Sequence, residues 1–390
     1  MPKDRKPQLV VHEDPLALCN SLLAQLPSLH EDFKPIWLLP NGHVQTIMTH
    51  AMNIVPRHVV YYHRQLVELS DGGTVSLDWA TLKKSRISLP TILNQTNQLT
   101  IVLMHGLGGG SHESYIQLTA KCCLEAGYRV VVMNARGCAA TPVTTPKLVC
   151  PAFTSDVKEV VAHLREKYVP MSTPLIAIGY SLGANILLKY VGEEGTNCLL
   201  TAAISLANPY DLVLTTAHLA NSWWHRQIYN KALTSGLVKL VFKKSDAHKI
   251  LKRESNVNLK QLSKSRILED FDKAYSCQVF GYATPLDIYK DASSTQYINT
   301  ISIPTLCISS LDDPICPKEA IPYEECRSNP NVILAVTKNG GHLGYYTKLK
   351  FNTWYIDTII QFSKAIEQTM PPKSTPNPLD LENIVITPHN

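Results

Sequence analysis

Residues 175–185 read LIAIGYSLGAN, and this stretch decides the fold. An apolar run of strand length ends at Ser181, and a glycine stands two positions to each side, at 179 and 183. The pattern G-x-S-x-G, placed between a buried strand and a helix-compatible run, is typical of a sharp turn that pushes the serine hydroxyl out of the sheet. Gly179 and Gly183 have no side chains to collide across such a turn. The alternative is an ordinary small-residue turn into a helix, and other parts of the chain decide between the two.

A parallel sheet is predicted from the residues around this turn. From residue 100 onward, short apolar runs alternate with segments of helix length. The runs are continuously apolar, which is typical of strands buried on both faces of a sheet wrapped by helices. A hairpin signal, DGG at 71–73, separates two further β-like runs upstream. Six runs carry the prediction, at 100–105, 129–134, 174–180, 201–207, 304–310 and 331–337.

The chain divides by composition into three segments, the second of which contains an insertion. Residues 1–58 form a polar, proline-containing lead, and residues 59–370 form the main α/β domain. Within it, residues 211–300 break the strand rhythm and are helical and charged in character, which predicts a cap inserted over the sheet. Residues 371–390 are proline-rich and polar, so we expect a flexible tail.

Composition excludes several classes of protein. A formal net charge of +5 on 390 residues is too small to indicate nucleic-acid binding. The ten cysteines show no C-x-x-C spacing, so they predict buried, reduced thiols and no zinc or redox site. No stretch resembles a signal peptide or a membrane-spanning helix. We therefore expect the chain to be cytoplasmic or peripherally associated with membranes.

A serine hydroxyl needs a base and an orienting carboxylate before it acts as a nucleophile. Two loops downstream supply them, because SSLDDPICP follows the fifth predicted strand and NGGHLGY follows the sixth. The order Ser181, Asp313, His342 is the order of a hydrolase triad, with the acid and the base each just beyond a strand end. Asp313 is preferred because Asp-Pro-x-x-Pro puts it at the turn, and Asp312 is held in reserve.

A glycine-rich loop after the first long strand predicts an oxyanion site. The sequence HGLGGG at 105–110 lies where esterases carry backbone donors for a developing negative charge. The predicted donors are the amides of Leu107 and Leu182. A phosphate-binding loop is disfavoured because neither G-x-G-x-x-G nor G-x-x-x-x-G-K-[ST] is completed here.

These residues predict a serine hydrolase that needs no metal or organic cofactor. Two alternatives stay open: an acyltransferase that uses the same acyl-serine, and a catalytically inactive protein that binds lipid. The first is weakened because His342 is followed by LGYYT, which lacks the aspartate of an H-x-x-x-x-D motif. An epoxide hydrolase or a dehalogenase would need an aspartate where Ser181 stands.

The chain also resembles a known group, the AB hydrolase 4 family, which includes α/β-hydrolase-domain proteins one, two and three. It is most similar to proteins one and three. The resemblance runs from about residue 35 to residue 368. The stretches that carry it are LPNGHVQTI at 39–47, HGLGGGSHESYI at 105–116, NARGCAATPVTTPKL at 134–148, GYSLGANILLKYVGEEG at 179–195, VFGYATPLDIYKDAS at 279–293 and NGGHLGY at 339–345.

The resemblance implies an α/β-hydrolase fold, a triad carried onto Ser181, Asp313 and His342, and hydrolysis of carboxylic esters of lipids, phospholipids or acylglycerols. Animal members usually carry an N-terminal membrane anchor, and this sequence contains no such apolar stretch.

The cap has its own charge pattern. Between His225 and Lys273 stand twelve Lys and Arg residues against five Asp and Glu, a net charge of +7. Trp223 and Trp224 precede a stretch whose apolar residues repeat at helical spacing. One interpretation is a basic amphipathic helix that rests on an anionic lipid surface. The other is a cap helix packed on the sheet with its lysines in solvent. The repeating apolar residues are Ile228, Leu233, Leu237, Leu240 and Val241.

Overall fold

A computed structural model describes residues 5–39, 41–51, 59–82, 88–347 and 353–369. These residues form a sheet of nine strands in the order β1-β9-β8-β7-β6-β4-β5-β3-β2. Strands β4 to β9 run parallel, and β1, β2 and β3 are antiparallel to their neighbours. The strands are Gln8–Val10 (β1), Tyr61–Glu68 (β2), Thr74–Thr81 (β3), Thr100–Met104 (β4), Arg129–Asn134 (β5), Leu175–Tyr180 (β6), Ala202–Leu206 (β7), Thr305–Ser310 (β8) and Val332–Thr337 (β9).

All six parallel strands predicted from the sequence are confirmed, and every residue in them is buried. Their apolarity is continuous because each face of the sheet contacts its own layer. Along β4, Ile101 and Leu103 pack into one hydrophobic cluster, while Val102 and Met104 pack into the other. This alternation follows from the two-residue period of a strand. The predicted hairpin is confirmed as well, since β2 and β3 pair directly.

Helices cover both faces of the sheet. In the described part of the chain the α-helices are Leu18–Leu23 (α1), Pro27–His30 (α2), Gly42–Ala51 (α3), Leu89–Leu93 (α4), Ser114–Glu125 (α5), Ser155–Lys167 (α6), Leu182–Glu194 (α7), Leu212–Asn221 (α8), Lys231–Lys239 (α9), Ala247–Glu254 (α10), Leu259–Leu262 (α11), Leu268–Phe271 (α12), Cys277–Phe280 (α13), Pro285–Ala292 (α14), Tyr323–Ser328 (α15) and Trp354–Thr369 (α16). Helix α7 starts immediately after Ser181, as the turn motif predicts.

The N-terminal segment takes part in the fold, although its polar, proline-containing composition predicted only a lead before the domain. Strand β1 pairs antiparallel with β9, with Leu9 opposite Ala335, and so forms one edge of the sheet. The segment that follows buries Leu22, Leu26 and Leu29 in the cluster that also holds α16. A strand of three residues has too few side chains to show a period, so the sequence pattern does not reveal it.

The insertion between β7 and β8 is helical, as predicted, and it contains α8 to α14. Short π-helical segments at His225–Asn230, Leu240–Lys244 and Asp272–Ser276 join several of these helices. The cap has a small core of its own, in which Leu237 and Val241 are buried. The predicted tail at 371–390 lies outside the described residues.

The predicted apolar stretch of the cap is divided between two environments. Leu237, Leu240 and Val241 are buried, and Leu233 is half-buried, whereas Ile228 is exposed. The helix therefore packs its apolar side inward, as the cap-helix interpretation requires. Among the helices that the structure describes, none combines the length and the apolar character needed to cross a bilayer.

Candidate active site

Ser181 occupies a strained turn between β6 and α7. Its backbone has φ 54° and ψ −120°, a region that L residues avoid unless their surroundings impose it. A Cβ added at Gly179 would lie 2.5 Å from the Cα of Ala184, and one added at Gly183 would lie 2.5 Å from the His105 carbonyl oxygen. Glycine is therefore required at both positions for the turn to close.

The structure brings the predicted base and acid to this serine. His342 Nε2 lies 2.8 Å from Ser181 Oγ, and His342 Nδ1 lies 2.7 Å from Asp313 Oδ2. A carboxylate only accepts hydrogen bonds, so the Nδ1 atom carries the proton of a neutral ring and Nε2 is the acceptor that faces the serine. His342 and Asp313 are both more than nine-tenths buried, which protects this hydrogen-bonded chain from competing water.

The two adjacent acids have different partners. Asp313 Oδ1 accepts the backbone N–H groups of Ile315 and Cys316 at 2.7 and 2.9 Å, which fixes the carboxylate that faces the imidazole. Asp312 points elsewhere: its Oδ1 accepts the Gly341 N–H at 2.9 Å and its Oδ2 accepts from the Asn339 side chain at 3.2 Å. Asp313 thus contacts the histidine ring, and Asp312 holds the loop that carries it.

The glycine-rich loop after β4 lies against the serine. Leu107 and Leu182 line the same cleft as Ser181. Leu182 is the first residue of α7, so its backbone N–H has no partner within the helix. Gly108 follows Leu107 with φ +63°, a conformation in which a side chain would be strained. Both residues predicted to supply amide donors therefore border the cleft that contains Ser181.

Buried polar contacts fix both ends of this loop. At its start, the Ala135 N–H donates to His105 Nε2 at 3.2 Å, so the proton of the ring lies on Nδ1, which donates to the Gly106 carbonyl at 2.7 Å. Burial lowers the pKa of His105 to about 4, which keeps this ring neutral. At its end, Ser111 Oγ donates to the buried Asp78 at 2.6 Å.

Helix α3 braces the histidine loop, and the sequence patterns assigned it no role. Thr46 Oγ1 accepts the backbone N–H of His342 at 2.8 Å and donates to the Gly42 carbonyl at 2.6 Å. Thr46 is 1% exposed. A Cβ added at Gly42 would lie 1.8 Å from the Asp312 carbonyl oxygen, so only glycine allows this approach. The signal was present in LPNGHVQTI, where a glycine stands four residues before a threonine in a helix-compatible run.

An apolar cleft of about 690 Å³, including its open mouth, adjoins Ser181. Side chains from the cap form much of its wall, including Leu212, Leu219 and Leu233. Asp272 is a buried acid in the same wall, where it accepts hydrogen bonds from Ser276 at 2.6 Å and Tyr289 at 2.8 Å. Burial raises the pKa of Asp272 to about 6.

One group of potential metal ligands lies at the site. Ligand atoms of Asp313, Cys316 and His342 are within 4.8 Å of one another. Burial and then the negative charge of Asp313 raise the pKa of the Cys316 thiol well above its ordinary value, and metals bind the thiolate form. The Cys316 thiol also donates to the Ala207 carbonyl at 3.5 Å. This chemistry favours a hydrogen-bonded triad over a metal centre.

Comparisons with known proteins support the fold described above. Residues 100–349 match the family model described as the alpha/beta hydrolase fold. An esterase from Pyrococcus furiosus has a similar fold, with a TM-score of 0.50, 17% sequence identity, and coverage of 79% of this chain and 91% of that one.

Three relatives cover most of both chains. Embryogenesis-associated protein EMB8 of Picea glauca is 35% identical over 84% of this chain and 70% of its own length. Human phospholipase ABHD3 is 33% identical over 93% and 85%. The medium-chain fatty acid ethyl ester synthase/esterase 2 of Saccharomyces cerevisiae is 30% identical over 86% of each chain. The chain therefore belongs to the α/β-hydrolase family, among the α/β-hydrolase-domain proteins.

Proposed function

We propose that this protein is a serine hydrolase that cleaves carboxylic esters of lipids, as a phospholipase or an acylglycerol lipase. The observation that carries the proposal is the hydrogen-bonded chain from Asp313 through His342 to Ser181, with distances of 2.7 and 2.8 Å. The apolar cleft beside the serine fits an acyl chain. The similarity to a human protein named as a phospholipase supports a lipid ester as the substrate.

The proposed reaction begins when Ser181 Oγ attacks the ester carbonyl while His342 Nε2 takes the hydroxyl proton. Asp313 stabilises the resulting imidazolium and keeps the ring oriented. The tetrahedral intermediate then collapses, the carbon–oxygen bond to the leaving alcohol breaks, and His342 returns the proton to that alcohol. Water, activated by the same ring, cleaves the acyl-serine and releases the fatty acid.

The negative charge that develops on the carbonyl oxygen needs donors that are already in place. Leu107 and Leu182 are proposed to supply these donors through their backbone N–H groups. Each such donor is worth roughly 3 kcal/mol of transition-state stabilisation. Because these donors belong to the main chain, substituting the side chain at either position leaves the N–H in place. The mechanism is therefore tested by substituting residues of the triad.

The test compares the wild-type chain with Ser181→Ala. Purified protein is incubated with mixed micelles of phosphatidylcholine or of diacylglycerol, and free fatty acid is measured; a fluorophosphonate probe reports covalent labelling in parallel. We expect Ser181→Ala to lose the label and to lower turnover by about four orders of magnitude or more. Ser328→Ala, at an exposed serine on α15, is the matched control and should behave as wild type.

Substitution of the two acids separates their roles. Asp313→Asn should lower kcat by about 10⁴-fold, because an amide favours the wrong tautomer of His342. Asp312→Asn keeps an acceptor for the Gly341 N–H and should lower kcat by less than about tenfold. Equal turnover by Ser181→Ala and wild type would defeat the proposal, and a wild-type chain that neither labels nor turns over would indicate a lipid-binding protein.

Acyl transfer is a second candidate, favoured by the similarity to a yeast protein named as an ethyl ester synthase and esterase. The same acyl-serine would pass its acyl group to an alcohol in place of water. Adding ethanol or lysophosphatidylcholine to the assay distinguishes the two reactions. Formation of new ester at the expense of free fatty acid identifies the transferase.

A further inference from the structure

Large apolar side chains are exposed on α3, on the turn before it and on neighbouring parts of the cap. Three of the five tryptophans are exposed: Trp37 at 80%, Trp223 at 66% and Trp224 at 64%. Four aliphatic residues are also exposed, one each in the turn before α3, on α3, on α8 and in the π-helical segment after Trp224. Contiguous apolar patches on a protein surface usually mark a binding surface. We call the seven residues the docking face, namely Trp37, Leu38, Ile47, Leu214, Trp223, Trp224 and Ile228.

Three histidines join the elements that carry this face. The ring of His225, in the π-helical segment, lies 4.3 Å from that of His218 on α8 and 6.0 Å from that of His43 on α3. On a helix, residues four apart share a face, so Ile47 lies beside His43 and Leu214 lies beside His218. Part of the cap and part of the N-terminal segment therefore lie side by side next to these exposed residues.

Trp37 and Leu38 are exposed in the turn just before α3. The buried side chains of Ile36 and Leu39, on either side of them, pack in one cluster with Val44 and Met48 of α3. The turn is thus fixed to the helix while its two central side chains project into solvent. Trp223 and Trp224 contact each other edge to face, with ring centroids 4.9 Å apart.

A cleft rich in cations continues from the docking face. Arg226 lies in the same π-helical segment as Ile228 and lines this cleft. Within the described part of the chain, no salt bridge engages the five cationic side chains of the cleft. One carboxylate, that of Asp270, also lines the cleft, and the excess of cations over this acid attracts phosphate-bearing anions. The five are Arg226, Lys231, Lys239, Lys243 and Arg266.

The helix that follows this segment, α9, contributes to the wall of the cleft over Ser181. Tyr229, one residue after Ile228, packs with Leu219, Ile315 and Cys316, close to the triad acid. Leu233, one helical turn further on, lines the pocket that contains Ser181 and His342. Ile228 of the docking face is one residue from Tyr229 and five from Leu233, so a surface bound at Ile228 lies near the substrate cleft.

We propose that the docking face and the adjoining cationic cleft bind the surface of an anionic phospholipid bilayer. Tryptophan favours the interface between headgroups and acyl chains, and unpaired arginine and lysine favour the lipid phosphates. This combination fits a bilayer better than a protein partner, whose surface would have to offer both an apolar plane and several phosphate-like anions. The proposal concerns binding alone and holds whether or not the lipid is hydrolysed.

The test uses the 390-residue chain with the substitution Ser181→Ala, so that binding is measured without turnover. The protein is sedimented with vesicles of phosphatidylcholine alone or with about one-third phosphatidylserine, at low and high salt. We expect binding to the anionic vesicles to be about tenfold stronger at low salt, and brominated lipid to quench tryptophan fluorescence. Absence of binding to both vesicle types would overturn the proposal.

Two variants separate the apolar and the charged contributions. Trp223→Ser/Trp224→Ser should weaken partitioning into both vesicle types by about tenfold, whereas Lys231→Glu/Lys239→Glu should weaken it by a similar factor for the anionic vesicles alone. Their matched controls are Leu66→Ser on β2 and Lys158→Glu/Lys167→Glu on α6, which should bind as the parent does. These positions are exposed, and unchanged thermal unfolding verifies the fold.

Other outcomes identify a different occupant. If the tryptophan variant binds vesicles as the parent does but loses self-association in sedimentation equilibrium, the docking face is an interface between copies of this chain and the proposal fails. The proposal also fails if the control variants lose as much vesicle binding as the test variants. Binding would then depend on the overall charge and hydrophobicity of the protein and not on the docking face.

Discussion

A single buried hydroxyl connects helix α3 to the backbone of His342. Thr46 Oγ1 accepts a hydrogen bond from the backbone N–H of His342 and donates one to the Gly42 carbonyl, so this hydroxyl links the two segments. The ring geometry around Ser181 depends on where this backbone lies. A displacement of about 1 Å in a catalytic group can cost about 100-fold in rate.

Thr46→Val tests this role at the scale of one residue. Valine keeps the shape but leaves the His342 N–H buried without an acceptor, a loss of about 1–3 kcal/mol. We expect kcat for ester hydrolysis to fall about 10- to 100-fold with KM changed less than about twofold. Thr46→Ser retains the hydroxyl and should recover activity to within about threefold of wild type. Wild-type kcat in Thr46→Val, or an equal loss in the serine variant, would contradict a positioning role.

At the scale of the element, the cap supplies the walls of the substrate cleft at the cost of burying an acid. Asp272 lies in a π-helical segment and faces the same cleft as Ser181. Its two hydroxyl partners offset only part of the desolvation, since burial remains the largest influence on its pKa. The carboxyl is protonated more readily in the folded protein than in the unfolded chain.

The folded pKa of Asp272, about 6, lies above the ordinary value of 3.8, so the native state favours the protonated carboxyl. Ionisation of Asp272 therefore destabilises the fold increasingly as the pH rises from about 4 to 6. Above about pH 6 the destabilisation stays constant, at about 3 kcal/mol at most. We expect Asp272→Asn to raise the free energy of unfolding by about 2 kcal/mol at pH 7.5 relative to wild type, with the difference vanishing near pH 4. Urea unfolding at several pH values measures it.

Ser276→Ala is the matched variant, because it removes a hydroxyl that stabilises the charged carboxylate. It should increase the destabilisation above pH 6 and leave stability at pH 4 nearly unchanged. A destabilisation by Asp272→Asn that is equal at every pH would mean that the acid contributes only hydrogen bonds.

At the scale of the whole molecule, the N-terminal segment closes one edge of the sheet and covers one face of it. Leu26 is fully buried in the core cluster that includes α16, whereas Leu16, in the same segment, is 91% exposed. Because Leu26 is buried in this core, we expect the N-terminal segment to unfold together with the rest of the domain.

Leu26→Ala should lower the free energy of unfolding by about 3 kcal/mol, because it leaves a cavity in a close-packed core. Leu16→Ala should change it by less than about 0.5 kcal/mol. Urea unfolding followed by fluorescence and by circular dichroism should give one coincident transition in both variants. A loss below about 1 kcal/mol in Leu26→Ala would show that the segment is not held in the core.

The sequence by itself determined the parallel strands β4 to β9, the turn at Ser181 and the helical cap. These features depend on local hydrophobic periodicity and on the residue types that a particular backbone conformation requires. Both signals can be recognised in the amino-acid sequence. The order of Ser181, Asp313 and His342 was equally legible, because α/β sheets collect the ends of their parallel strands at one edge.

Only the tertiary structure decided which of the adjacent acids meets His342, since Asp312 and Asp313 differ in direction and not in chemistry. It alone brought Thr46 to the histidine loop and placed β1 beside β9. It also brought α3 and the segment that begins at His225 together, with the rings of His43 and His225 6.0 Å apart. Contacts between residues far apart in sequence arise when packing brings their elements together, and no pattern within either segment encodes the distance between them.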